Sequence, residues 1–290
     1  LGGGELDWTR ARAILIAAFT VVNLILAYSL WGPKGELDPG EPTARSQLVQ
    51  LRTRLDERGI ILPSAVTLPT TPAPMRFLRV EFRPNPTKAP PVDEPSEGAP
   101  AASRLRSRYD AAARETVLEP VDGAGGTPVD LSDRLLLRQV AEDFLRANGL
   151  FPHDVQLSGI FLRENGAIVE FVPTYDGLPV FSGYLRVYLT AQGVERVVHH
   201  WVEPVGLKAG APKAVRPAAE ALLRLAGHLE TGDGQVRTIV DVRLGYYSGP
   251  SVTVPGAEEI SAWETVPVWR ITLDNGQVYY VNAFNGELES

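Results

Sequence analysis

Residues 155–205, VQLSGIFLRENGAIVEFVPTYDGLPVFSGYLRVYLTAQGVERVVHHWVEPV, decide the fold class. Apolar and β-branched runs at 155–163, 167–174, 180–189 and 194–202 are separated by Glu164-Asn165-Gly166, Asp176-Gly177 and Ala191-Gln192-Gly193. Runs of that length broken by Asn-Gly and Asp-Gly turns predict antiparallel hairpins, with Asn165-Gly166 suited to a tight turn. Phe181, Leu185, Val187 and Leu189 are candidate packing residues, and the whole reads as a curved antiparallel sheet.

Helices are expected on either side of this sheet segment. Upstream, Ser132 or Asp130 can cap a helix whose stripe comprises Leu136, Val140, Phe144 and Leu137, Ala141, Leu145, with Gly149 as its stop. Downstream, Pro217 opens a helix carrying Ala218, Ala221, Leu222, Leu225 and Leu229 on one side. A strand at 238–247 follows, then a hairpin of 266–273 and 277–283 around Asp274-Asn275-Gly276.

Nearer the N-terminus, Thr43 can cap a helix with Leu48, Leu51 and Leu55 on one face and Gly59 at its end, followed by extended chain at Ile60 to Leu62 and a strand at 75–82. Residues 84–101 are rich in proline and polar side chains and read as an insertion or linker, while 104–119 has the composition of a strand before a turn at 122–126. Both 57–68 and 147–157 run from a helix-ending glycine through an apolar pair and a proline into extended chain. Helix followed by strands thus recurs, which predicts an α+β architecture of repeated helix-plus-antiparallel-sheet units.

Residues 13–31, AILIAAFTVVNLILAYSLW, carry no charge. As a helix they would extend about 28 Å at 1.5 Å per residue, close to a hydrocarbon core of about 30 Å. Arg10 and Arg12 precede the run, and Glu36, Asp38 and Glu41 follow it, so the positive-inside rule puts the N-terminus in the cytoplasm and the C-terminal region outside. Trp8 at one boundary and Tyr28 and Trp31 at the other are candidate interface anchors alongside the two arginines. Ala13, Ala17, Thr20, Asn23 and Ala27 fall along one stripe, whose small side chains and single amide suit a partner helix within the bilayer. The competing reading is a signal peptide with a small-x-small cleavage site at Ala27-Tyr28-Ser29.

The expected segmentation is a cytoplasmic 1–12, a transmembrane 13–31, a first helix-strand unit at 32–83, an insertion at 84–130, and helix-sheet units at 131–205 and 206–290. Of the 290 residues 44% are hydrophobic and 22% charged, enough for a sizeable core. A net charge of -7 with scattered arginines argues against nucleic acid. The absence of cysteine removes disulfides, thiolate metal sites and cysteine nucleophiles.

No catalytic, cofactor or metal residues are expected. His199 and His200, adjacent on a strand, point to opposite faces and do not share an ion. Gly123, Gly125 and Gly126 lack the Lys-Ser/Thr of a phosphate loop, no serine sits in a nucleophile elbow, and the carboxylates read as ordinary solvated side chains. The aromatics Tyr246, Tyr247, Trp263, Trp269, Tyr279 and Tyr280 are expected to be mostly core or cross-strand pairs.

The stretch DWTRARAILIAAFTVVNLILAYSLW at 7–31 resembles the start of the YycI family through Asp7, Trp8, Phe19, Asn23 and Trp31. The closing VPVWRITLDNGQVYYVNAFNGELE at 266–289 is similar to that family's last hairpin through Trp269, Tyr279, Tyr280, Asn282, Ala283, Phe284 and Gly286. The resemblance implies YycH/PepSY-like units behind a membrane helix. It also implies a YycH-like membrane protein and a WalK-like sensor histidine kinase as partners, and control of cell-wall metabolism as output. An alternative from another class is a secreted or anchored PepSY-like module that binds or inhibits a cell-wall peptidase.

Overall fold

Among the described residues, three helices form where apolar stripes meet stop signals. The computed structural model describes residue 19 and residues 44–69, 73–83, 105–121, 128–229, 236–249 and 262–289. The candidate membrane segment 13–31, apart from Phe19, lies outside them, as do the proline-rich 84–101 and the turn at 122–126. Among the described residues no helix is long and apolar enough to cross a membrane.

Helix α1 spans Ala44–Asp56 and buries Leu51 and Leu55. Helix α2 spans Arg134–Ala147, and its N-cap is Asp133, whose carboxylate accepts from the Leu135 and Leu136 amides at 2.9 and 3.1 Å. This corrects the expected Ser132 or Asp130: the Asp130 carboxylate instead closes the preceding turn on Ser132. At the other end Gly149, at φ 65°, bonds back to Arg146 while Leu150 bonds to Leu145, a Schellman ending. Only Leu137, Ala141 and Leu145 of the predicted double stripe are fully buried. Helix α3 spans Ala218–His228, and Pro217, the expected opening residue, is its N-cap.

Thirteen strands are joined by backbone pairing among the described residues. They are β1 (Ile60–Ile61), β2 (Leu78–Arg83), β3 (Leu105–Asp110), β4 (Glu115–Pro120), β5 (Val155–Arg163), β6 (Gly166–Tyr175) and β7 (Leu178–Pro179). Then come β8 (Tyr184–Thr190), β9 (Gly193–Leu207), β10 (Arg237–Tyr247), β11 (Ala262–Leu273), β12 (Val278–Asn282) and β13 (Leu288–Glu289). The main path runs β1-β10-β11-β2-β9-β8-β6-β5, and every pair is antiparallel except β1 with β10. The single strand expected over 104–119 is a hairpin, β3 and β4. Its turn uses Asp110, which accepts from the Ala112 and Ala113 amides, in place of a glycine.

Residues Leu48–Ser290 form one compact unit with two helix-backed cores. One packs α2 against Val169 and Phe171 of β6, Leu185 and Val187 of β8 and Val197 of β9. The other packs α1 and α3 against Val80 of β2, Val242 of β10 and Trp269 and Ile271 of β11. Strand β9 spans both halves: its first part pairs with β8 and β4, and its last part, from Trp201, pairs with β2.

The sheet leaves little room where β10 passes β7. A Cβ on Gly245 would lie 2.5 Å from the Pro179 carbonyl oxygen and 2.6 Å from the Phe181 ring. Gly245→Ala is therefore expected to lower stability by about 1–3 kcal/mol, the usual penalty of overpacking. Urea unfolding monitored by tryptophan fluorescence measures this, and an unchanged midpoint would contradict the close approach.

Candidate functional site

Alternation gives β6 and β11 two buried faces each. On β6, Ala167, Val169 and Phe171 face the α2 core, which leaves Ile168, Glu170 and Val172 on the opposite face. On β11, Trp269, Ile271 and Leu273 face α1 and α3, which leaves Val268, Arg270 and Thr272. Val172 and Val268 share a small apolar cluster with Phe181, so these second faces pack on each other.

Two cross-strand rows meet there. Glu170 is directly opposite Arg186 in the β6–β8 register, and Arg270 is opposite both Arg243 on β10 and Tyr280 on β12. Arg186 Nε donates to one Glu170 oxygen at 2.8 Å, and Arg270 Nη2 reaches the other at 3.4 Å. Ser158 Oγ donates to that second oxygen at 2.8 Å and accepts from Arg270 Nη1. Ser158 sits at a register shift in the β5–β6 pairing, so a β-bulge turns it toward this cluster. Its carbonyl accepts from Arg243 Nη1 at 3.3 Å, and Arg243 Nε is paired with Asp241.

Arg270 is 2% exposed and Glu170 7%, so both charges have left water. The arginine lies over the Phe181 ring at 5.1 Å, and Tyr280 stacks on Tyr247 with centroids 3.8 Å apart. Burial pushes the Tyr280 phenol well above its usual range. A cavity of about 560 Å³ opens beside the cluster between β5, β6, β8 and the β11–β12 hairpin.

Glu170 corrects the expectation that the carboxylates are ordinary solvated groups. The sequence did carry a signal: one acid inside AIVEFV and one base inside VPVWRITL, each alone in a run apolar on both faces. The aromatics fall as expected for Trp269 and Tyr246, which are buried, and for the Tyr247–Tyr280 pair. The membrane stripe Ala13, Ala17, Thr20, Asn23 and Ala27 and the anchors Trp8, Arg10, Arg12, Tyr28 and Trp31 all lie outside the described residues.

His199 and His200 have different surroundings. His199 is 2% exposed, stacks on Trp201 within the α2-backed half, and neither ring nitrogen has a partner among the described residues. His200 stacks on Tyr184, contacts Phe82 and pairs its Nδ1 with the Arg114 carbonyl at 3.0 Å. Burial, with a smaller contribution from His200, lowers His199 to about 4, and burial also lowers His200. Among the described residues no group of three or more His, Asp or Glu is arranged to hold a metal.

Residues 128–284, more than half of the chain and including both Glu170 and Arg270, match the family described as YycI protein. The chain belongs to the YycI family. The match takes in most of the closing hairpin that first suggested this family and begins well after the 7–31 stretch. The YycI family is one of regulatory proteins. None of the curated proteins compared matches the sequence.

Among solved structures, an uncharacterized protein from Eubacterium rectale ATCC 33656 is similar with a TM-score of 0.45 at 9% identity, covering 84% of this chain and 98% of that one. The YpeB C-terminal domain of Bacillus megaterium gives 0.37 at 11% identity, covering 64% and 80%.

The buried histidine makes a pH dependence. Between pH 6.5 and about 4 the unfolded chain binds a proton at position 199 that the folded chain does not, so stability falls as pH drops through that window. The expected loss from this group is about 3 kcal/mol between pH 7 and pH 4. Urea unfolding at a series of pH values tests it: His199→Leu should flatten the curve in this window, and an unaltered slope would contradict a neutral buried imidazole.

Proposed function

We propose that this YycI-family chain is a membrane-anchored, extracytoplasmic regulator of a WalK-like sensor histidine kinase. It acts with a YycH-like membrane protein to control cell-wall homeostasis. The observation that carries this reading is the family match over 128–284, which takes in α2, α3 and the strands around the buried Glu170–Arg270 pair. The uncharged run at 13–31, flanked by arginines before and acids after, supports a single membrane anchor with an inside N-terminus.

On this reading no bond is made or broken, and the work is done by unequal binding. A regulator shifts a kinase between silent and signalling states only by its difference in affinity for them, and about 1.4 kcal/mol of difference moves the ratio tenfold. The Ala13, Ala17, Thr20, Asn23 and Ala27 stripe supplies the contact inside the bilayer, and the sheet unit supplies the one outside. Trp8, Arg10, Arg12, Tyr28 and Trp31 fix the depth of the helix.

Asn23→Leu removes the one amide in the stripe and is expected to reduce recovery of the kinase several-fold from crosslinked native membranes, because an interhelical hydrogen bond contributes about 1 kcal/mol. A chain lacking residues 1–31 should lose the kinase altogether. Undiminished recovery with both variants contradicts the helix contact, and retention of a cell-wall peptidase by the shortened chain would replace this reading with that of a peptidase-binding module.

A further inference from the structure

The cavity beside the Glu170 cluster is short of negative charge. Among the described residues, Arg163, Arg186 and Arg270 line it against the single carboxylate of Glu170. That carboxylate already divides its oxygens, one receiving Arg186 and the other Arg270 and Ser158. Arg270 is 2% exposed, yet its Nε has no partner among the described residues. A guanidinium withdrawn from water with an unmatched donor is costly, and almost all such groups in folded proteins are satisfied. The ring of Phe181 offsets part of the charge but accepts no hydrogen bond in the plane of the guanidinium.

We propose that this cavity binds a small organic anion, a carboxylate carried on an apolar or aromatic body. The planar fork of arginine matches a carboxylate in two parallel hydrogen bonds, which a compact ammonium cannot do. Phe161, Ile168, Tyr188, Val278 and Tyr280 supply apolar and aromatic side chains, among walls that are polar for the most part, against which the rest of such a molecule can lie. The volume of about 560 Å³ is that of a small-molecule site. Arg163, exposed at the rim, draws the anion in, and Arg270 and Arg186 hold it deeper. Glu170 competes with the ligand for the same two arginines and so sets an upper limit on affinity. The site does not depend on the kinase reading: it would bind its ligand whatever the protein partner.

The probe is hippurate, a carboxylate on an aromatic amide, titrated calorimetrically into the full chain, with neutral hippuramide and inorganic phosphate alongside. Saturable binding is expected with Kd below about 1 mM, and hippuramide and phosphate should each bind at least about tenfold more weakly. Arg163→Glu, on the exposed rim and outside both cores, should weaken hippurate at least about tenfold. Glu170→Gln, which removes the negative charge that competes for both arginines, should tighten it where the variant folds, opposite to what a purely structural cluster gives. Absence of saturation overturns the proposal, as does hippuramide binding equally well or an affinity unmoved by Arg163→Glu. Phosphate binding as tightly as hippurate overturns the carboxylate-on-apolar-body assignment.

Discussion

The double burial of β6 and β11 constrains everything else in this fold. A strand with one wet face can place its charges there, but these two strands have a helix layer on one side and the other half of the same curled sheet on the second. Any charge on them must find its partner inside. Glu170 and Arg270 do so across the two facing surfaces, and a slip of one residue in β6 would put the carboxylate among Leu137, Ala141 and Leu145. The pair therefore specifies register more strongly than it adds stability, since the desolvation of both ions opposes their attraction.

Local irregularities serve that central contact. The bulge at Ser158 brings a hydroxyl and a carbonyl to Arg270 and Arg243 that a regular β5 would direct elsewhere. Gly245 lets the Phe181 ring approach β10 closely, and Phe181 in turn covers the Arg270 guanidinium. The fifteen-residue β9, by pairing with β8 and β4 at one end and β2 at the other, holds the two helix-backed halves in one continuous sheet.

Much of the local structure was legible because it rests on short-range rules. Asn165-Gly166 and Asp274-Asn275-Gly276 marked hairpins that the pairing of β5 with β6 and β11 with β12 reproduces. The Leu137, Ala141, Leu145 stripe and the Gly149 stop placed α2 to within a turn. The β3–β4 hairpin was missed because its turn is made by an Asp110 side chain in a run of alanines, without glycine or asparagine. Long-range pairing was not legible at all: that Ile60 lies parallel to Arg237, or that β2 sits between β9 and β11, depends on packing that no local pattern records.

The site was half legible for the same reason. A lone acid in AIVEFV and a lone base in VPVWRITL each break an apolar run, and each by itself is equally consistent with an exposed face or a functional group. What joins them is that both strands are buried on both sides, a property of the assembled sheet. Apolar residues at both positions would leave Arg186 and Ser158, which also bond Glu170, without that acceptor, so the cluster is replaceable only as a whole. Three arginines lining a cavity that holds one carboxylate among the described residues go further than a registry pair requires. Two opposite charges suffice to fix register, so the surplus positive charge beside an open cavity is better explained by something that enters the cavity than by the fold that encloses it.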